Sequence, residues 1–148
     1  MLRFATVCAA VLIVGLAPSS LQAAQAVPAA ALQECGGCHN LYPPQYLPQR
    51  SWAALLARLD DHFGEIATLP ADELAAISTY LAANASDGPQ TKGGSRFLRD
   101  VRPDETPLRI TDLPWWQDVH GWVNFNGIEA TKVRSASNCA GCHEDGEW

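Results

Sequence analysis

Apolar residues recur at helical spacing in the first half of the chain and lose that rhythm in the second. From Ser51 onward, Trp52, Leu55, Leu56, Leu59 and Phe63 fall at i, i+3, i+4 and i+7. This is one stripe of an amphipathic helix that Ser51 begins and Gly64 ends. His62 lies on the same stripe. A second helix is predicted over residues 70–84, with Pro70 in its first turn, Asp72 and Glu73 at the positive end of its dipole, and Leu74, Ile77 and Leu81 on one face. The run Ala29-Ala30-Ala31-Leu32-Gln33-Glu34 reads as a short helix ahead of both. Apolar stripes of this kind are core-forming, and the first half therefore reads as a small helical unit.

Beyond residue 96 the pattern changes. Residues 97–110 mix charges with Pro103 and Pro107, give only a hint of extended chain at 108–111, and read mostly as loop. Pro114-Trp115-Trp116, followed by His120 and Trp122, gathers flat aromatic surface around a histidine. Residues 128–138 predict a short helix. Between the halves, Asp-Gly-Pro-Gln-Thr-Lys-Gly-Gly-Ser over residues 87–95 has linker composition. The expected organisation is a mainly α chain, with a helical unit over 27–86, a linker over 87–95 and an irregular, loop-rich unit over 96–148. A unit of about 60 residues buries a marginal core unless something staples it.

Residues 1–26 belong to a different class. One early charge, Arg3, precedes an apolar run from Phe4 to Ala17, and Ala24-Gln25-Ala26 has the small-x-small form of a cleavage site. The run is shorter than the roughly 20 residues needed to cross a bilayer, so an export signal that is removed is the expected reading, and a periplasmic location follows from it. Cys8 would leave with it. The 148-residue chain has 10 Lys and Arg against 16 Asp and Glu, a net charge of −6. Without Arg3 the remainder carries −7. That balance argues against nucleic acid as a partner, because phosphate binding needs a basic footprint.

The chemistry lies in two stretches. Cys35-Gly36-Gly37-Cys38-His39 and Cys139-Ala140-Gly141-Cys142-His143 each hold two thiols and an imidazole at the spacing that attaches a c-type haem. The thiols form thioethers with the porphyrin, and the histidine becomes an axial ligand to iron. A zinc ribbon would need its two CxxC pairs roughly 15–20 residues apart, whereas here about a hundred residues intervene. A thioredoxin-like pair would need a βαβ context. Once residues 1–26 are gone, every cysteine belongs to a motif, which fits an exported protein with two covalent haems.

Four histidines are present, and His39 and His143 are committed by the motifs. His62 and His120 remain, one in each half. Met1, the only methionine, lies in the export segment, so His/Met ligation is not available. A lone histidine on an apolar helix face is more often a core residue than a ligand, but an iron in the same half lacking a sixth ligand reverses that expectation. Bis-histidine iron is the simplest tally, with lysine, the amino terminus or an open sixth position as the other options. The Arg96, Arg99 and Arg102 group is expected to balance haem propionates.

The chain resembles the small soluble bacterial dihaem cytochromes c. The resemblance rests on Glu34 to His39 followed by Tyr42-Pro43-Pro44, on Leu47-Pro48 before Ser51-Trp52, and on Asp61-His62-Phe63-Gly64-Glu65. In the second half it rests on Arg109-Ile110-Thr111, Pro114-Trp115-Trp116 with His120 downstream, and Ser137-Asn138-Cys139. It implies a class I cytochrome c-like N-terminal haem domain, an unusual C-terminal haem domain, bis-histidine ligation through His62 and His120, and haem edges that approach closely. It also implies electron transfer to a small oxygen-binding monohaem cytochrome, with a membrane b-type cytochrome as donor. The short tail after His143 departs from the family pattern.

The expected function is periplasmic electron transfer by two low-spin haems, with no enzymatic activity and no membrane span after signal removal. Six-coordinate iron with two imidazoles offers no vacant position, and a second imidazole in place of methionine favours the ferric form. The competing expectation is a haem enzyme or gas or redox sensor in which His62 or His120 dissociates.

Overall fold

The computed structural model describes residues 26–127 and 133–143. The export segment expected over 1–26, apart from Ala26, lies outside the described residues, as do 128–132 of the helix expected over 128–138 and the five residues after His143. The described chain is helical and has no strand; three α-helices are joined by single turns of tighter or wider helix.

Helix α1 runs Gln49–Leu56, α2 runs Ala71–Asn84 and α3 runs Pro114–His120. Helix α2 starts where its sequence predicts, with Pro70 as N-cap and Asp72 and Glu73 in the first turn. It ends when the Ala85 backbone turns extended, and the following segment folds back on it: the Gln90 N–H donates to the Ala83 carbonyl at 3.0 Å and the Thr91 hydroxyl to the Asn84 carbonyl at 2.8 Å. The linker-like stretch is thus tied down at its start. Its Asp87 also accepts the Gln49 N–H at 2.7 Å, bracing the N-terminus of α1.

Helix α1 differs from expectation at both ends. It begins two residues before Ser51, which is fully buried and packs in the core instead of capping. It stops at Leu56, so His62 is not on the helix. A 3-10 turn at Leu59–Asp61 and then left-handed backbone at Phe63 (φ 57°) and Gly64 (φ 97°) reverse the chain around it. The apolar stripe is real as far as Leu56; past that point tertiary packing overrides the period.

Helices α1 and α2 pack together and build one cluster from Ala31, Ile77, Tyr80 and Leu81, with Leu41, Trp52, Leu56 and Leu69 around it. A second cluster joins the halves: Leu47 packs with Leu113 and Trp116, surrounded by Trp52, Leu55, Ile110 and Phe125. Trp52 borders both, and its indole N–H is satisfied by the Pro44 carbonyl at 2.8 Å. In the second half, residues 108–111 make no strand; Ile110–Asp112 forms a 3-10 turn that leads into α3.

Candidate functional site

The two CxxCH motifs are held by different local structures. Cys35 ends a π-helical turn, Ala31–Cys35, and Gly36, which caps it, sits so close to the Leu32 carbonyl that a Cβ there would collide with it. Cys139 instead opens a 3-10 turn, Cys139–Gly141, whose His143 N–H donates to the Cys139 carbonyl at 2.9 Å. In both, the first cysteine is half-buried and the second exposed. Burial pushes the Cys35 thiol up, with Glu34 and Cys38 adding to it, and burial likewise raises Cys139. Both therefore rest as thiols before any attachment.

The fold brings each spare histidine to one motif histidine. The His39 and His62 rings have centroids 6.3 Å apart, and so do His120 and His143. Two metal–imidazole bonds of about 2 Å, with about 1.1 Å from each bound nitrogen to its ring centre, separate two trans imidazoles by roughly 6 Å. Both pairs have a spacing that would suit two imidazoles held by one iron, and in sequence each pair includes the histidine that follows two cysteines able to form thioethers with a porphyrin.

Hydrogen bonding at Nδ1 would leave Nε2 open to a metal in two of the rings. His39 Nδ1 donates to the Asn40 carbonyl at 2.7 Å and His120 Nδ1 to the Trp116 carbonyl at 3.1 Å. Nδ1 of His62 is buried with no hydrogen-bond partner among the described residues. Burial, then His39 and Arg109, pushes the His62 pKa down, which favours the neutral imidazole that metals bind. Around it lies a cavity of about 210 Å³ lined by Leu55, Arg58, Phe63, Leu108 and Arg109, with the Arg109 guanidinium 4.0 Å from the Phe63 ring centre. A residue of the second half thus closes over the loop that presents His62.

One side chain links the neighbourhoods of the two motifs. Tyr42 stacks on His39, with ring centroids 5.0 Å apart, and its hydroxyl donates to the Ser137 carbonyl at 2.6 Å, two residues before Cys139. No group of three or more His, Cys, Asp and Glu side chains able to hold a metal ion gathers among the described residues, so the two cysteine pairs do not converge on one zinc site. The Arg99 and Arg102 side chains meet the chain's own carboxylates, Asp100 and Asp118 for the first and Asp104 and Glu105 for the second, and Arg96 lies over the Phe97 ring. Sequence reading left unassigned the roles of Tyr42 and Arg109 and the stack of Trp116 on His120; the last has a visible signal, an i, i+4 aromatic pair in a helical run.

The profile of the dihaem cytochrome c family matches residues 31–148. The chain belongs to that family. A diheme cytochrome c from Rhodobacter sphaeroides is 42% identical with a TM-score of 0.72, covering 82% of this chain and 94% of the other. A second structure, of the protein purified from the same organism, is 39% identical with a TM-score of 0.64, over 80% and 92% of the two chains. The diheme cytochrome c of Shewanella baltica is 30% identical with a TM-score of 0.61, over 80% and 83%. No protein of curated function matches. As a dihaem cytochrome c the protein takes two c-type haems with iron and serves haem-based electron transfer, which requires redox partners.

Proposed function

We propose that the protein is a periplasmic electron-transfer cytochrome, not an enzyme, whose two haems are both low-spin and bis-histidine. Cys35 and Cys38 hold the first, with His39 and His62 as axial ligands; Cys139 and Cys142 hold the second, with His143 and His120. The observation that carries this reading is the repeated 6.3 Å separation of the imidazole pairs, since two unrelated core histidines have no reason to adopt the ligand spacing, and here it occurs twice.

Bound there, the haems supply one-electron exchange between ferrous and ferric iron. The protein's share would be to offer two imidazoles to each iron, which would leave no open site for substrate, and to hold the imidazole rings in place. Asn40 and Trp116 carbonyls fix the tautomer and direction of His39 and His120. Burial keeps His62 neutral. Tyr42 spans the two centres, which supports exchange between them before an electron leaves. Residues 1–26 act as the export signal, 27–86 as a class I-like unit, 87–95 as the connector and 96–148 as the second haem unit. The partners we assign are a small oxygen-binding monohaem cytochrome as acceptor and a membrane b-type cytochrome as donor. No helix among the described residues is long and apolar enough to cross a membrane.

The test is the purified, exported protein. Its intact mass should equal a chain starting near Val27 plus two haems, and its reduced form should not bind carbon monoxide. His62→Ala and His120→Ala should each open one haem to carbon monoxide and leave the other low-spin. A variant that keeps two low-spin haems and binds no carbon monoxide shows that the histidine in question is not a ligand.

A further inference from the structure

The two imidazole pairs share a separation and differ in angle. The His39 and His62 planes lie 24° apart, close to parallel, whereas those of His120 and His143 lie 74° apart, close to crossed. The second angle has a local cause. His120 is the last residue of α3, one turn after Trp116, and side chains four apart on a helix lie over one another. The Trp116 ring is 4.4 Å from the His120 ring and only 14° from parallel to it, and the Trp116 carbonyl accepts the His120 Nδ1–H at 3.1 Å. Trp116 is itself buried against Leu47 and Leu113 and stacks on Phe125 at 5.6 Å. Turning the His120 ring about its Cβ–Cγ bond would break a face-to-face stack and a hydrogen bond together. Among the described residues His62 has no comparable brace: it meets Phe63 edge-on, at 4.9 Å and 63°.

We propose that Trp116 is a positioning residue that fixes the His120 ring nearly crossed to His143, and that the two centres of this protein are therefore electronically unlike. The inference rests on the bis-histidine reading above. An imidazole on low-spin ferric iron donates π density from the orbital normal to its own plane into one of two iron dπ orbitals. Parallel rings act on the same orbital and split the pair; crossed rings act on one each and leave the pair nearly equal. The anisotropy of the unpaired electron follows that splitting, so the orientation set by groups behind the ligand is written into the spectrum.

The experiment is electron paramagnetic resonance on the oxidised, full dihaem protein at cryogenic temperature. Expected are two low-spin species in equal amount, a rhombic one with three resolved features from the Cys35–Cys38 haem and one with a single, strongly shifted low-field feature from the Cys139–Cys142 haem. His120→Ala should abolish the low-field feature and spare the rhombic set; loss of the rhombic set instead overturns the assignment. Trp116→Phe, which keeps a stacking ring, should retain the low-field feature. Trp116→Leu should keep a low-spin optical spectrum and move that feature towards a second rhombic set. Trp116→Met fills more of the site and is read in the same way if the leucine variant loses haem. Two low-spin haems of one shape in the unmodified protein, or a Trp116→Leu spectrum identical to it, overturn the inference while bis-histidine ligation stands. A high-spin ferric signal in the unmodified protein overturns both.

Discussion

Tyr42 shows how one side chain can serve two centres. Its ring lies on His39, and its hydroxyl reaches the carbonyl of Ser137, 95 residues away in sequence. Burial raises its pKa, with Cys139 adding to that and the hydrogen bond to Ser137 opposing it, so the phenol stays protonated and able to donate at neutral pH. Tyr42→Phe keeps the ring and deletes one hydrogen bond, a loss of about 0.5–1.5 kcal/mol. In a chain of this size that lowers Tm by roughly 2–6 °C. Tyr42→Leu also deletes the ring against His39, and it should unfold earlier still and slow electron exchange between the haems after flash reduction of one of them. Equal exchange rates in Tyr42→Leu and the unmodified protein would show that the contact is structural only.

At the scale of elements, the two attachment motifs look alike in sequence and are built differently. Gly36 caps a π-helical turn where a Cβ would strike the Leu32 carbonyl, whereas Ala140, at the corresponding place, lies in a 3-10 turn and carries a Cβ already. Gly36→Ala is therefore expected to lower haem content from two per chain towards one, measured by haem-to-protein ratio, while Ala140→Gly leaves it at two. A Gly36→Ala protein that holds two haems at unchanged Tm would show that the π turn relaxes at no cost. Much of this scale is legible in sequence: α2 starts and stops at its proline, acids and asparagine because local chemistry decides it. The end of α1 is not legible, since the stripe from Trp52 to Phe63 continues the helical period while the chain leaves the helix at Leu56. What holds the bend is partly local, the Asp61 carboxylate accepting the Gly64 N–H and the left-handed backbone that Gly64 permits, and partly non-local, the Arg109 guanidinium over the Phe63 ring. The four histidines and four cysteines of the candidate site were legible from spacing and count, and the Trp116 stack on His120 could be read as an i, i+4 pair of one helix; the Arg109 cover needed the fold, because it depends on which elements meet.

On the scale of the molecule, the halves share a core and are both acidic. Leu113 is fully buried beside Leu47 of the first half, so Leu113→Ala should cost about 2–5 kcal/mol and raise amide exchange in α2 and α3 together. A rise confined to α3 would mean that the halves unfold independently. Residues 27–86 carry Arg50 and Arg58 against Glu34, Asp60, Asp61, Glu65, Asp72 and Glu73, a net of −4, and the rest after residue 86 carries −3. Asp61 is committed to the loop that presents His62, since it accepts the Gly64 N–H at 3.1 Å and lies 3.5 Å from Arg58. Asp60 and Glu65 flank the same loop with side chains as exposed as those of Glu34 and Asp72, and lie nearest His62 in sequence among these exposed acids. Against them stand Arg58 and Arg109, which line the cavity beside His62, so any steering arises from the whole acidic half more than from this loop. Opposite charge acts on the encounter rate by roughly 10- to 1000-fold and is screened over about 10 Å at 0.1 M salt and about 3 Å at 1 M. Electron transfer to a basic redox protein should therefore slow steeply as salt rises over that range. Asp60→Asn with Glu65→Gln should slow it a few-fold at low salt, and the two proteins should converge at high salt, where the charge is no longer felt. A second-order rate that ignores both salt and the double substitution would remove the acidic half as the docking face and leave apolar contact around the haem edges to bring the partners together.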